Sequence, residues 1–97
     1  MANNIRPVHP GEVLRGEMAE LGLSARQLAL ALKVPTNRVT GVLNKQRAVT
    51  ANTALRLARY FGTAPEFWLN LQSAYDLHLT RLALGVQVEQ DVSPRAA

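Results

Sequence analysis

A chain of 97 residues, 47% of them apolar, holds enough hydrophobic material for one core and too little for two, and its scattered leucines and alanines favour helices over sheet. It contains no cysteine, which excludes disulfides and thiolate metal sites, and it lacks both the apolar core of a signal peptide and the about 18 apolar residues of a membrane span, so it reads as cytoplasmic. The net charge of +4 is unevenly placed: from Leu21 to Pro65 seven cations (Arg26, Lys33, Arg38, Lys45, Arg47, Arg56, Arg59) stand without a carboxylate, while the two ends together carry four cations and seven carboxylates.

In chain order, residues 1–9 read as an N-terminal arm, and a first helix starts just after His9. Pro10 suits its first turn, Val13, Leu14, Met18 and Leu21 form its apolar stripe, and Gly22 ends it. The next segment, SARQLALALK, opens with a Ser24-x-x-Gln27 capping box and predicts a short helix to about Leu32. Pro35 then suits the first turn of a third helix running to about Leu43, which leaves a joint of about three residues, the length of a helix-turn-helix connection. A fourth helix fits TANTALRLARYFG, with Thr50 as cap, Ala54, Leu55, Leu57, Ala58 and Phe61 on the buried side, and Gly62 as the stop. The fifth, about 20 residues long, begins with Thr63 as cap and Pro65 and Glu66 in its first turn, and Gly85 terminates it. Residues 10–85 thus form one all-α, five-helix unit, followed by a tail, 86–97, in which the alternation at Val86 and Val88 suggests a short strand before disorder.

The third helix carries the functional signal. With about 100° of rotation per residue, Val39, Val42 and Leu43 fall on one side as anchors, and Asn37, Thr40, Gly41 and Asn44 on the other, with Arg38 on the rim and Thr36 near the start. Amides, hydroxyls and a guanidinium on a thin helix match the donor and acceptor pattern of a DNA major groove: Asn pairs with adenine, Arg with guanine, and Thr donates, accepts or meets the thymine methyl. Asn44 at the helix end, and Lys45 and Arg47 in the following loop, are placed to hold phosphates.

Other features read as structural. Phe67, Trp68, Leu71 and Tyr75 make a core stripe at helical spacing. His9 and His78 have no ligand-motif spacing, and no nucleophile motif, glycine-rich phosphate loop or metal constellation is present, so neither an enzyme nor a cofactor or metal site is expected. The fifth helix is too apolar for one buried face; Leu77, Leu79, Leu82 and Leu84, with Val86 and Val88, suggest an isologous dimer interface.

From about Val8 to Asp76 the chain resembles the HigA (VapI) family of bacterial antitoxins, within the lambda-repressor-like, Xre-type helix-turn-helix class. The resemblance rests on HPGEVLRGEM with LGLSARQLALAL, on VPTNRVTGVLN, and above all on VTANTALRLARYFGTAPEFWLNLQSAYDL. It implies a lambda-repressor-like domain whose second and third helices form the helix-turn-helix. By the same resemblance Ser24 and Arg26 match positions near phosphate, Ala29 the small residue where the two helices touch, Val39 and Val42 the residues beneath the reader, and Thr36, Asn37, Arg38 and Thr40 the base-facing positions. Family members act as homodimers on palindromic double-stranded operators and neutralise a basic HigB/RelE-like toxin, an mRNA-cleaving ribonuclease; the expectation is therefore an antitoxin that represses its own operon. A stand-alone Xre-type regulator without a toxin is the alternative. A second class of reading is a binding module whose acidic residues (Glu12, Glu17, Glu20, Glu66, Asp76, Glu89, Asp91) meet a basic partner. The chain departs from the family where Lys33 and Lys45 stand in place of the usual glycines, adding two cations close to the phosphates, and where Gly41 replaces a longer polar side chain.

Overall fold

The computed structural model describes residues 6–96; residues 1–5 of the N-terminal arm and Ala97 of the tail lie outside the described residues. Those described form five helices and no strand: α1 (Pro10–Leu21), α2 (Ala25–Leu32), α3 (Thr36–Leu43), α4 (Ala51–Phe61) and α5 (Pro65–Asp91). No helix among them is long and apolar enough to cross a membrane.

Local chemistry sets most of the helix ends. Buried His9 caps α1, its Nδ1 accepting the Gly11 N–H at 2.9 Å, while Pro10 occupies the first turn, where a missing N–H costs nothing. The expected capping box opens α2: the Gln27 N–H donates to Ser24 Oγ at 3.1 Å and the Ser24 N–H to Gln27 Oε1 at 2.8 Å. Gly22 and Gly62 end α1 and α4 in the left-handed region (φ 67° and 74°), so that the chain turns back and pairs the last carbonyls. Pro35 serves as N-cap of α3 rather than as its first helical residue, which leaves Lys33, Val34 and Pro35 as the joint.

The core lies where the helices meet. Leu14 and Met18 from α1, Leu28, Ala29 and Leu32 from α2, Val39 and Val42 from α3, Ala54, Leu57 and Ala58 from α4, and Trp68 from α5 are all buried. The α1–α3 crossing is tight at Gly11, where a Cβ would collide with the Val42 carbonyl oxygen, so any larger residue pushes the two helices apart. Trp68, 1% exposed, is the largest fully buried side chain. Its indole N–H donates to Thr63 Oγ1 at 2.9 Å.

That bond corrects the expected role of Thr63. A buried indole must have an acceptor, so the hydroxyl serves Trp68, and Ala64 stands as an N-cap of α5 with no side-chain bond. A second correction concerns Gly85, Val86 and Val88. The expected stop and strand are absent; α5 runs 27 residues to Asp91. No strand lies alongside to pair the Val86 and Val88 backbone, and residues 86–91 touch no core, so continuing the helix satisfies their N–H and C=O groups internally. Leu21, Leu55 and Phe67, expected on buried faces, are exposed at 58%, 61% and 43%. Each lies off the line where its helix meets the others, and Phe67 instead sets its ring edge-on to Trp68, centroids 5.1 Å apart.

Candidate nucleic-acid interface

α3 stands between α1 and α2 with its two valines inserted: Val39 is 3% and Val42 1% exposed, and Leu43 is half-buried. With those anchors fixed, the opposite face must point outward. Thr36, Asn37 and Asn44 are exposed, and Arg38, Thr40 and Gly41 half-buried. The expected base-facing residues thus share one surface, continuous with exposed Ser24, Arg26 and Lys33 at the ends of α2.

The joints on either side of α3 hold Lys33 and Lys45. Lys33 and Lys45 both have φ 61°, the two non-glycine residues in the left-handed region among those described. A Cβ there costs on the order of 1 kcal/mol each relative to glycine. The geometry at Lys33 closes α2, its N–H bonding the Leu30 carbonyl at 3.3 Å and the Val34 N–H the Ala29 carbonyl at 3.1 Å. At Lys45 the ammonium reaches Glu12 of α1 at 3.1 Å, and this cation beside it holds the Glu12 carboxyl below its ordinary range. Lys45, expected on phosphate, is thus partly turned toward α1.

Three groups of hydrogen bonds that sequence reasoning missed hold the face in position. Asn52 of α4 accepts from both Arg38 Nη1 (3.1 Å) and Arg56 Nε (2.9 Å), and Arg56 Nη1 in turn donates to the Leu32 carbonyl at the end of α2 (2.9 Å). The spacing of Asn52 and Arg56, one helical turn apart, was a legible signal for their pairing; the reach of Arg38 across to α4 was not. Arg15 of α1 donates to the Leu43 carbonyl at 3.2 Å, placing a cation against the C-terminal end of α3, where the helix dipole favours it. Buried Gln72 of α5 accepts the Val49 N–H at 2.8 Å and donates to Asp76 at 2.9 Å, tying down the loop that carries Lys45 and Arg47.

The six residues expected to form a dimer interface do not share one side of α5. Successive residues rotate by about 100°, which places Leu79, Leu82 and Val86 in one row continuing the direction of Trp68, and Leu77, Leu84 and Val88 roughly opposite. All six are exposed, Leu82 most at 73%.

Comparison with known proteins agrees with this architecture. The helix-turn-helix family matches residues 14–68. The chain is 50% identical over 78 residues to virulence-associated protein I of Dichelobacter nodosus, covering 79% of this chain and 72% of that protein. An addiction module antidote protein of the HigA family from Coxiella burnetii superposes with a TM-score of 0.89 at 54% identity, covering 94% of this chain and 100% of the other. The Pseudomonas aeruginosa antitoxin HigA, solved with the higBA promoter, superposes with a TM-score of 0.89 at 44% identity, over 94% of this chain and 100% of that one.

Proposed function

The chain belongs to the HigA/VapI family of Xre-type helix-turn-helix proteins, and from that premise we propose that it is a DNA-binding antitoxin that represses its own operon and neutralises a RelE-like ribonuclease toxin. The observation that carries the DNA reading is the outward row of α3, hydrogen-bonding side chains above two buried valines, set in a stretch of seven cations with no carboxylate. Thr36, Asn37, Arg38, Thr40 and Gly41 form the surface offered to base edges, and Ser24, Arg26, Lys33, Asn44, Lys45 and Arg47 surround it as phosphate contacts. The phosphate contacts fix the register and give the salt dependence; the α3 side chains supply discrimination. A relative of known structure was solved with promoter DNA, which supports a DNA partner; the operator in this reading is palindromic, bound by a homodimer that presents two copies of α3 about one helical turn apart.

Fluorescence anisotropy with the duplex upstream of its own gene tests the DNA reading. Preference for that duplex over a scrambled one, with affinity falling steeply as salt rises, is expected; equal binding to both would overturn it. The toxin half is tested by co-expressing any small basic protein encoded beside it. Co-purification and loss of mRNA cleavage are expected, and failure of both leaves a stand-alone regulator.

A further inference from the structure

The position of Gly41, in the middle of the outward face of α3, is not empty. The Arg47 side chain fills the place where a residue-41 side chain would begin: a Cβ built on Gly41 would stand 3.1 Å from Arg47 Cβ, 3.4 Å from Nε and 3.6 Å from Cδ. The backbone brings it there. Left-handed Lys45 reverses the chain after α3, and the N–H groups of Gln46 and Arg47 both donate to the Gly41 carbonyl, at 2.9 and 3.1 Å, wrapping the loop back over that helical turn. Arg38, Lys45 and Arg47 differ in what they hold. Arg38 is bound to Asn52 and Lys45 to Glu12, whereas no side-chain hydrogen bond or ion pair within the protein engages the Arg47 guanidinium among the described residues.

We propose that Arg47 is a base-reading residue: lying in the space Gly41 leaves open, it presents its guanidinium from the centre of the α3 face to a guanine of the operator. The inference rests on the DNA reading above and changes the role given there to Arg47, from phosphate contact to specificity determinant. The chemistry suits it. The Arg fork matches the O6 and N7 acceptors of guanine bidentately, and a side chain stacked along a helix has less freedom to lose on binding than one in open solvent. Gly41 acts through Arg47 as a positioning residue, because a methyl group at 41 forces the Arg47 stem off the helix by a few tenths of an ångström at its closest contact.

The experiment compares the full-length wild-type chain, Arg47→Ala and Gly41→Ala on the upstream duplex and on versions in which each base pair of one half-site is changed in turn, by competition anisotropy, with thermal melts of each protein. The wild type is expected to lose about tenfold or more at one G·C pair when that pair is changed. Arg47→Ala then binds the original and changed duplexes equally at that pair while keeping its preferences elsewhere. Gly41→Ala, which keeps every charge, loses the same preference yet melts higher, because alanine is the better helix former; a purely structural glycine would move the melt alone. The inference is overturned if Arg47→Ala weakens all duplexes by one factor with the profile intact, as a phosphate contact would, or if Gly41→Ala leaves the profile unchanged. A wild type without preference for any duplex overturns the DNA reading itself, and this inference with it.

Discussion

Arg38 and His9 show how much a single side chain can carry here. Arg38 joins the reading face to α4, since its Nη1 donates to Asn52, which also accepts from Arg56. Under the DNA reading, Arg38→Ala should cost about 1–3 kcal/mol on the operator and relax specificity at its base pair. Asn52→Ala should give a smaller loss in the same direction, because it frees the guanidinium without removing it; anisotropy on operator and scrambled duplexes measures both. His9 is 2% exposed and serves as an acceptor at the start of α1. Burial, aided by the Lys45 ammonium and opposed by Asp76 and Glu12, pushes its imidazole below the ordinary 6.5. Between the lowered folded value and 6.5 the unfolded chain binds more protons than the folded one, so stability is full above about pH 6.5 and falls as the pH drops through that window. Tm should therefore fall from pH 7 toward acid. His9→Asn, which keeps a capping acceptor but cannot titrate there, should flatten the profile in thermal melts.

At the level of elements, the joints around α3 show a conflict between backbone and charge. Lys33 holds a conformation that favours glycine, φ 61°, in the turn between α2 and α3. Lys33→Gly should therefore stabilise the fold by about 1 kcal/mol in urea unfolding. If Lys33 holds a phosphate, the same change lowers the slope of log affinity against log salt by about 1, so stability and DNA affinity move in opposite directions. The five helix starts and stops that local chemistry determines were legible in the sequence: the proline and glycine around α1, the capping box of α2, Thr50 and Gly62 around α4. Val39 and Val42 were legible as anchors because a period of 3.6 residues leaves no other side for them. What was not legible depends on distant partners. Thr63 could not be seen as the acceptor of Trp68, nor Asn52 as the rest for Arg38. The run of α5 through Gly85 was hidden because a glycine stops a helix when the chain has something to turn back upon, and beyond residue 85 it has nothing. Which α3 side chains meet bases follows from their outward placement and from family resemblance together, and is a matter for the duplex panel.

For the whole molecule, the governing feature is length. Its extents are 52 × 28 × 23 Å, because α5, about 40 Å long, projects past the core that Trp68 anchors. The exposed row of Leu79, Leu82 and Val86 prolongs the buried side of that helix, so a second copy covering it would extend a surface already apolar. Leu82→Glu should convert a dimer to a monomer in sedimentation while helical circular dichroism is retained, and Leu84→Glu, on the opposite side, should leave the dimer intact. Loss of the dimer with Leu84→Glu alone would assign the interface to the other row. The crossing of α1 and α3 at Gly11 has a mechanical consequence for such an assembly. With the Val42 carbonyl pressed against Gly11, α3 cannot close any further on α1. If two copies pair through α5 as proposed, a half-site spacing that does not suit the pair is accommodated by bending the duplex or by flexing the joint between the two α5 helices, so operator choice would depend on the stiffness of base steps that no side chain touches.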